Sequence, residues 1–189
     1  MAKKSFRRHF YGCILLVIFL AWTSSLWAQV ELRGRLMLGS GGSMASPANI
    51  RVKIDSYTTV DEVRQLAQAF NSGGDSELYT AFRKLKKGTM RFVGGAGLNI
   101  GLNAAFEKPT DNGFKYVFFS KSQSVEPGST LQGYSENLFL VIEMNVDKNY
   151  KGEGKIYEAA KIRFTEQGTI EMESSTTAAK DIVDVKPVK

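Results

Sequence analysis

The stretch LFLVIEMNV, residues 138–146, decides the fold. Its first five residues are apolar without interruption. A strand with one face in water alternates apolar and polar residues, whereas a strand covered on both faces is apolar throughout. We therefore predict that residues 138–146 form a central strand, in a sheet that is covered on both sides.

Alternation of apolar and polar residues predicts further strands on either side of this one. They fall at residues 30–38, 50–54, 90–93, 98–106, 114–120, 156–164, 170–172 and 180–188. The last is predicted to be a closing edge strand, because an edge tolerates a proline such as Pro187. The predicted fold class is α+β: a curved or partly closed antiparallel sheet of about seven to nine strands with an inserted helical pair.

The helical pair is predicted over about residues 59–87, where the apolar period changes to that of a helix. Thr59 and Glu62 stand at capping-box spacing, NSGG at 71–74 stops the first helix, and Asp75 can cap a second. The side chains expected to pack on the sheet are Leu66, Phe70, Phe82 and Leu85.

A basic cluster follows in the predicted last turn, made of Arg83, Lys84, Lys86 and Lys87. Positive charge there complements the helix dipole, so the cluster is typical of a solvated helix end. The alternative interpretation is a docking patch for an anionic surface.

A hairpin is predicted around residues 166–168 (EQG), because Gly168 suits the left-handed position of a three-residue loop. This register sets Phe164 opposite Ile170 and Ile162 opposite Met172. It also sets Arg163 opposite Glu171 and Lys161 opposite Glu173, so that apolar faces apolar and positive faces negative.

The segment DKNYKGEGKIYE, residues 147–158, has the spacing of a calcium loop at four positions: Asp147, Asn149, Gly152 and Glu158. Lys151 stands where the loop needs an oxygen ligand, and the flanks alternate like strands instead of forming helices. We predict a hairpin turn here, and no metal ligand.

The glycine-rich segment 94–101 (GGAGLNIG) does not have the spacing of a dinucleotide-binding motif, and it leads into a strand where that motif needs a helix. We predict a turn here. No residue is assigned a catalytic, cofactor-binding or metal-binding role, and no cofactor is predicted.

The first 28 residues are predicted to be a signal peptide, cleaved after Ala28. A basic start, an apolar run too short for a spanning helix and a small residue before the cut are typical of such a leader. A single α+β domain, residues 29–189, is expected to follow it in the periplasm or outside the cell, with no integral membrane segment after cleavage.

Removal of this leader changes the chemistry open to the protein. It contains four of the 25 basic residues and none of the 19 acidic ones. The remainder therefore has 21 basic and 19 acidic residues, and because this charge is nearly balanced, no nucleic acid partner is predicted. It also contains the only His and the only Cys. The remainder therefore lacks the residues of a serine or cysteine protease site and of a common zinc site.

Several short segments resemble a family of uncharacterised secreted bacterial proteins. They are YTT at 57–59, NSGG at 71–74, GEG at 152–154, KIRF at 161–164 and IE at 170–171. The resemblance covers most of the chain after residue 28 and implies a single exported domain. The family has no assigned activity, so the resemblance implies no site residues.

Three functions stay open. The first is a binding module that holds a small apolar ligand or a peptide, suggested by the aromatic run FKYVFF at 114–119, which core packing also explains. The second is an interaction or structural protein of the cell envelope without a small ligand. The third is a hydrolase that uses paired carboxylates, which needs no histidine. The polar loop 122–134 is a candidate rim for a binding site.

Overall fold

A computed structural model describes residues 30–38, 47–94, 98–121 and 139–188. The predicted signal peptide and the predicted rim loop 122–134 lie outside these ranges. Ten strands and one helix are found in the described ranges. In chain order they are β1 Val30–Leu36, β2 Ala48–Ile54, α1 Val60–Phe82, β3 Gly88–Val93, β4 Asn99–Leu102, β5 Ala104–Thr110, β6 Gly113–Lys121, β7 Phe139–Asp147, β8 Gly152–Phe164, β9 Ile170–Ser175 and β10 Lys180–Pro187.

The strands form one open antiparallel sheet in the order β4-β3-β2-β1-β10-β8-β7-β6-β5, with β9 paired to β8 beside this path. The predicted class, a sheet-dominated α+β fold, is confirmed, although the described strands number ten and exceed the predicted range. The predicted closing edge strand is wrong in its position. β10 lies between β1 and β8, so it joins the two halves of the sheet.

The two ends of the strand order meet at one residue, Asn103. The predicted strand 98–106 is split there into β4 and β5, which stand at opposite ends of the order. Asn103 N–H donates to the carbonyl of Phe119 on β6 (2.9 Å), and its side-chain amide donates to the carbonyl of Leu85 (2.9 Å). Ser120 Oγ donates to the carbonyl of Gly101 at 2.6 Å, which also links β6 to the end of β4.

One face of the sheet buries side chains from both halves of the strand order, among them Leu32, Val52, Met90 and Ile142, each with no exposed surface. The only helix in the described part of the chain packs on the other face. Side chains from both halves of the strand order belong to this one buried cluster, so they pack against one another.

The strand predicted to be central is central. β7 pairs with β6 on one side and β8 on the other. Phe139 and Val141 belong to the core under the helix, whereas Leu140 and Ile142 belong to the core of the opposite face. Covering both faces explains why this stretch is apolar without interruption.

One helix is found where a helical pair was predicted. α1 runs through NSGG at 71–74, although Gly73 and Gly74 have non-helical dihedral angles and kink it. The capping box at its start is confirmed: Thr59 Oγ1 accepts from Glu62 N–H and the Glu62 carboxylate accepts from Thr59 N–H. Of the side chains expected to pack on the sheet, Leu66 and Phe82 are buried and Leu85 is partly buried, but Phe70 is 42% exposed.

The predicted basic helix end is wrong, because α1 ends at Phe82 with no basic residue in its last turn. Arg83, Lys84 and Lys86 are exposed beyond the helix. Lys87 is buried, and its Nζ donates to Glu62 Oε1 (2.7 Å) and to the carbonyl of Tyr57 (3.2 Å). The capping-box carboxylate thus also neutralises the buried lysine.

The segment between β2 and α1 lies against β5. Thr58 N–H donates to the carbonyl of Ala105 (2.8 Å), and Ala105 N–H donates to Thr58 Oγ1 (2.9 Å). Lys87 N–H donates to the carbonyl of Leu102 at 2.8 Å, and the Lys87 carbonyl accepts from Asp55 N–H at 2.8 Å. The start of α1 is therefore tied to both strands that flank Asn103.

Replacing Glu62 by Gln is expected to lower the free energy of unfolding by about 1–3 kcal/mol, because the buried ammonium of Lys87 loses its counter-charge. Partial burial raises the pKa of the Glu62 carboxyl, but the hydrogen bonds from Lys87 and Thr59 outweigh it and hold the pKa below its usual value. The contribution is therefore complete above the unfolded-state pKa and is lost as the pH falls through the folded-state pKa. Urea denaturation between neutral and acid pH measures both effects.

Asp61→Asn is the matched control, because Asp61 lies in the same helical turn and pairs with Arg64 in the open solvent. We expect it to cost about 0.5 kcal/mol or less. Equal losses for the two variants would contradict the role assigned to the Lys87 pair.

The predicted hairpin is confirmed at three of its four cross-strand pairs. Phe164 faces Ile170, Arg163 faces Glu171 and Ile162 faces Met172. Gly168 adopts the left-handed conformation at φ 74°, and Arg163 Nη2 lies 2.8 Å from Glu171 Oε2. The fourth pair is wrong: a register shift beyond Ile162 places Lys161 opposite Ser174, not Glu173.

Charge reversal in this hairpin is expected to show the corrected register. Glu171→Lys should cost about 0.2–1 kcal/mol, and adding Arg163→Glu should recover most of the loss, because both side chains are exposed and face one another. Glu173→Lys with Lys161→Glu is the comparison pair and should show a weaker recovery, because the register shift displaces Glu173 from direct pairing with Lys161. A double-mutant cycle in thermal or urea denaturation measures the coupling, and coupling at 161–173 but not at 163–171 would contradict this register.

Candidate functional site

A groove of about 710 Å³ lies between the kinked part of α1 and the sheet. Helix side chains form one wall, while β7, β8 and β9 form the floor and the opposite wall. The lining residues are Ala67, Phe70, Asn71, Asp75, Leu78, Phe139, Lys161, Ile162, Arg163, Phe164 and Glu173. We call this cavity the helix–sheet groove.

The two halves of α1 are anchored on the sheet at either side of the groove. Val63 and Leu66 are buried in the first half, and Leu78 and Phe82 in the second. The rings of Phe82 and Phe139 meet edge to face with centroids 5.0 Å apart. Between these anchors the ring of Phe70 lies near the ring of Phe164 on β8, at a centroid distance of 6.2 Å.

The kink is encoded by the glycine pair. Gly74 has φ 63° and ψ −150°, a conformation that is essentially confined to glycine. Gly73 has no room for a side chain, because a Cβ there would overlap the side chain of Glu77. A continuous helix would keep its apolar stripe on the sheet along its whole length, so the kink is what separates the helix from the sheet at the groove.

The groove has an apolar floor and a charged rim. Phe139, Ile162 and Phe164 supply apolar surface, and Phe70 adds a half-exposed ring above them. Charges of both signs stand round this surface: Lys161 and Arg163 are cationic, whereas Asp75 and Glu173 are anionic. Such a lining suits a ligand with an apolar body and polar or charged ends.

The segment that resembles a calcium loop is a tight turn followed by a strand. Asp147 Oδ1 accepts from the N–H groups of Asn149 and Lys151, both at 2.8 Å, and these bonds hold the pKa of the carboxyl below its usual value. The predicted hairpin turn is confirmed. Gly152 already belongs to β8, where a Cβ would overlap the carbonyl oxygen of Asn145 on β7.

Glu158, the last position of the calcium pattern, lies far along β8. It is buried, and its carboxylate is 2.8 Å from Lys180 Nζ. Within the described ranges no three His, Cys, Asp or Glu side chains converge in a way that could hold a metal ion.

The aromatic run 114–119 is used mostly in core packing. Tyr116 and Phe118 lie in the core of one sheet face and Phe119 in the core under α1, while Phe114 is 45% exposed. Burial raises the pKa of Tyr116 to about 12, and the Glu107 carboxylate adds to this. Burial also raises the pKa of Tyr57, whose hydroxyl donates to Glu107 at 2.6 Å.

The predicted glycine-rich turn is described only at its ends. Gly94 has φ 85°, and the chain re-enters a strand at Asn99. Residues 95–97 lie outside the described ranges. No described helix is both long enough and apolar enough to cross a membrane.

No pattern in the sequence predicted the helix–sheet groove. Its one usable signal is NSGG at 71–74, which was interpreted as the end of a helix. The lining residues on the sheet come from strands far away from α1 in the chain, and no local pattern groups them with the helix.

Comparison with known proteins gives no family for this chain: no family model, no curated protein and no solved structure matches it. The resemblance to uncharacterised secreted bacterial proteins therefore stays a prediction. Function is therefore inferred from the geometry of the groove.

The kink permits a direct test. Gly74→Ala should lower the free energy of unfolding by about 1–3 kcal/mol, because alanine is strained at these dihedral angles. Gly101→Ala is the control, since nothing lies within 4 Å of a Cβ placed there. We expect it to change stability by about 0.5 kcal/mol or less. Urea denaturation measures both, and an unchanged stability in Gly74→Ala would contradict the kink.

Proposed function

We propose that this protein is an exported, non-enzymatic binding module of the periplasm or cell envelope that holds its ligand in the helix–sheet groove. The observation that carries the proposal is the groove itself. Its volume of about 710 Å³ falls within the range of about 300–1,000 Å³ that is usual for ligand sites. A strongly curved sheet with a helical cover is the scaffold we propose for it.

The lining favours a short peptide over a purely apolar molecule. Phe139, Ile162 and Phe164 can cover apolar side chains, while Lys161 and Arg163 stand near enough to receive a carboxylate and Asp75 and Glu173 to receive an ammonium group. A peptide supplies all three kinds of group, whereas a purely apolar ligand would match only the floor of the groove.

We expect protein purified from its own host to contain a bound molecule in native mass spectrometry. Ala67→Trp should remove this adduct, because Ala67 lines the groove and the indole would fill the space above the floor. Gln68→Trp adds the same bulk on the exposed side of the helix and should keep the adduct. The same spectra report the amino terminus, which is Gln29 if the leader is cleaved after Ala28.

Two results would contradict binding in the groove. If the protein is repeatedly free of ligand, the better interpretation is an envelope interaction or structural protein without a small ligand. If the adduct survives Ala67→Trp, the ligand lies elsewhere and the groove is the wrong site. Circular dichroism and a melting curve show whether Ala67→Trp has folded.

A carboxylate-based hydrolase is the second candidate, because Asp75 on the helix and Glu173 on β9 line the same groove from opposite walls. Two carboxylates on either side of a bond can act as acid and base or as nucleophile. Asp75→Asn and Glu173→Gln distinguish the two functions. A binding module keeps its adduct unchanged over time, whereas a hydrolase would accumulate bound substrate once either carboxylate is removed.

A further inference from the structure

A row of four cations crosses the exposed face of β10, β1, β2 and β3. Lys186 faces Arg33, Arg33 faces Arg51, and Arg51 faces Arg91, each pair in direct register. All four side chains are exposed. Because neighbouring strands are about 4.8 Å apart, the row is about 14 Å long. We call these four residues the cation row.

Like charges in direct cross-strand register repel and destabilise a sheet. Elsewhere the described sheet avoids this arrangement: Glu31 faces Lys53, Glu143 faces Lys155 and Asp181 also faces Lys155. One further pair of like charge is found in the described ladders, Lys108 with Lys115, and there Glu143 lies 3.0 Å from Lys115 Nζ. A run of three consecutive repulsive pairs is therefore peculiar to the cation row.

Neutralisation within the row is incomplete. Arg51 Nε lies 2.9 Å from Glu31, but no described carboxylate lies within 4.0 Å of Arg33, Arg91 or Lys186. Beside the row is a depression of about 360 Å³, which Arg33, Arg51 and Lys186 share with Arg35 and Asn49. Arg35 is paired with Asp184 at its margin. Anionic groups of a ligand could thus reach several cations at once.

We propose that the cation row binds a linear acidic polysaccharide whose chain lies across the strands, with its carboxylate or sulfate groups against Lys186, Arg33, Arg51 and Arg91. The row is one residue wide, and acidic side chains such as Glu31 and Asp184 lie beside it. A flat anionic membrane would also contact these acidic side chains, which would repel it. No aromatic ring belongs to the row, although single-stranded nucleic acids are commonly held by stacking on such rings. This surface shares no residue with the helix–sheet groove.

The test is binding of dextran sulfate and of polygalacturonate to the full-length mature protein, with neutral dextran as the blank. The variant Arg33→Gln, Arg91→Gln, Lys186→Gln removes the three cations that have no described carboxylate partner. We expect about a tenfold loss of affinity, because three exposed ion contacts are lost. Raising the salt from about 0.1 M to about 1 M should abolish binding, because the Debye length falls from about 10 Å to about 3 Å.

The matched control is Arg83→Gln, Lys84→Gln, Lys86→Gln, which removes the same number of charges from the exposed segment after α1. It should keep its affinity within about twofold, since surface charges away from the site are screened. The row variant should also melt no lower than the native protein, because the repulsion is relieved. This outcome separates loss of binding from loss of folding.

Four results would overturn the proposal. They are no binding to either acidic polysaccharide, an equal loss in the control variant, equal or tighter binding to vesicles of phosphatidylglycerol, and equal or tighter binding to an oligothymidine strand. The second would reduce the effect to net charge, and the last two would assign the row to a membrane or to a nucleic acid.

Discussion

The rest of the structure depends on the corner at Asn103, where the chain passes from one end of the sheet to the other within a single residue. No turn of several residues is available there, so the two ends of the sheet have to lie side by side. The backbone bond from Asn103 to Phe119 fixes this approach. A side chain without the amide of Asn103 would leave the carbonyl of Leu85 without this donor.

Two consequences follow from that corner. One face of the sheet buries a single cluster to which both halves of the strand order contribute, whereas α1 covers part of the other face. The helix is in turn positioned by the same corner, because Thr58 bonds to Ala105 and Lys87 bonds to Glu62 beside it. The helix–sheet groove therefore opens where α1, held at its start and at Phe82, is bent away by Gly73 and Gly74.

Local patterns predicted local structure well and failed where one segment had to adapt to another. Alternation and Gly168 predicted the register of Ile162, Arg163 and Phe164, since a hairpin is decided by its own loop. The register then shifts between Ile162 and Lys161, next to three consecutive buried residues (158–160) that break the alternation, so Lys161 lies opposite Ser174 instead of Glu173. The corner at Asn103 could not be predicted from the sequence, because Asn103 fits the alternation of a single strand. Only the strand order shows that the chain passes there from one end of the sheet to the other. The groove joins Phe70 to Phe164, which no sequence window contains together.

The position of α1 on the sheet also explains where repulsion between like charges can be tolerated. α1 covers the sheet near β7 and β8, so the charged side chains of β1, β2 and β3 remain in water. Water weakens the repulsion between Arg33, Arg51 and Arg91 to a fraction of a kcal/mol for each pair. Less exposed positions do not have this freedom: the buried Lys87 has a carboxylate at 2.7 Å and the partly buried Lys180 has one at 2.8 Å. A row of cations that is only partly neutralised is thus tolerated where its side chains stay in water, as they do on β1, β2 and β3.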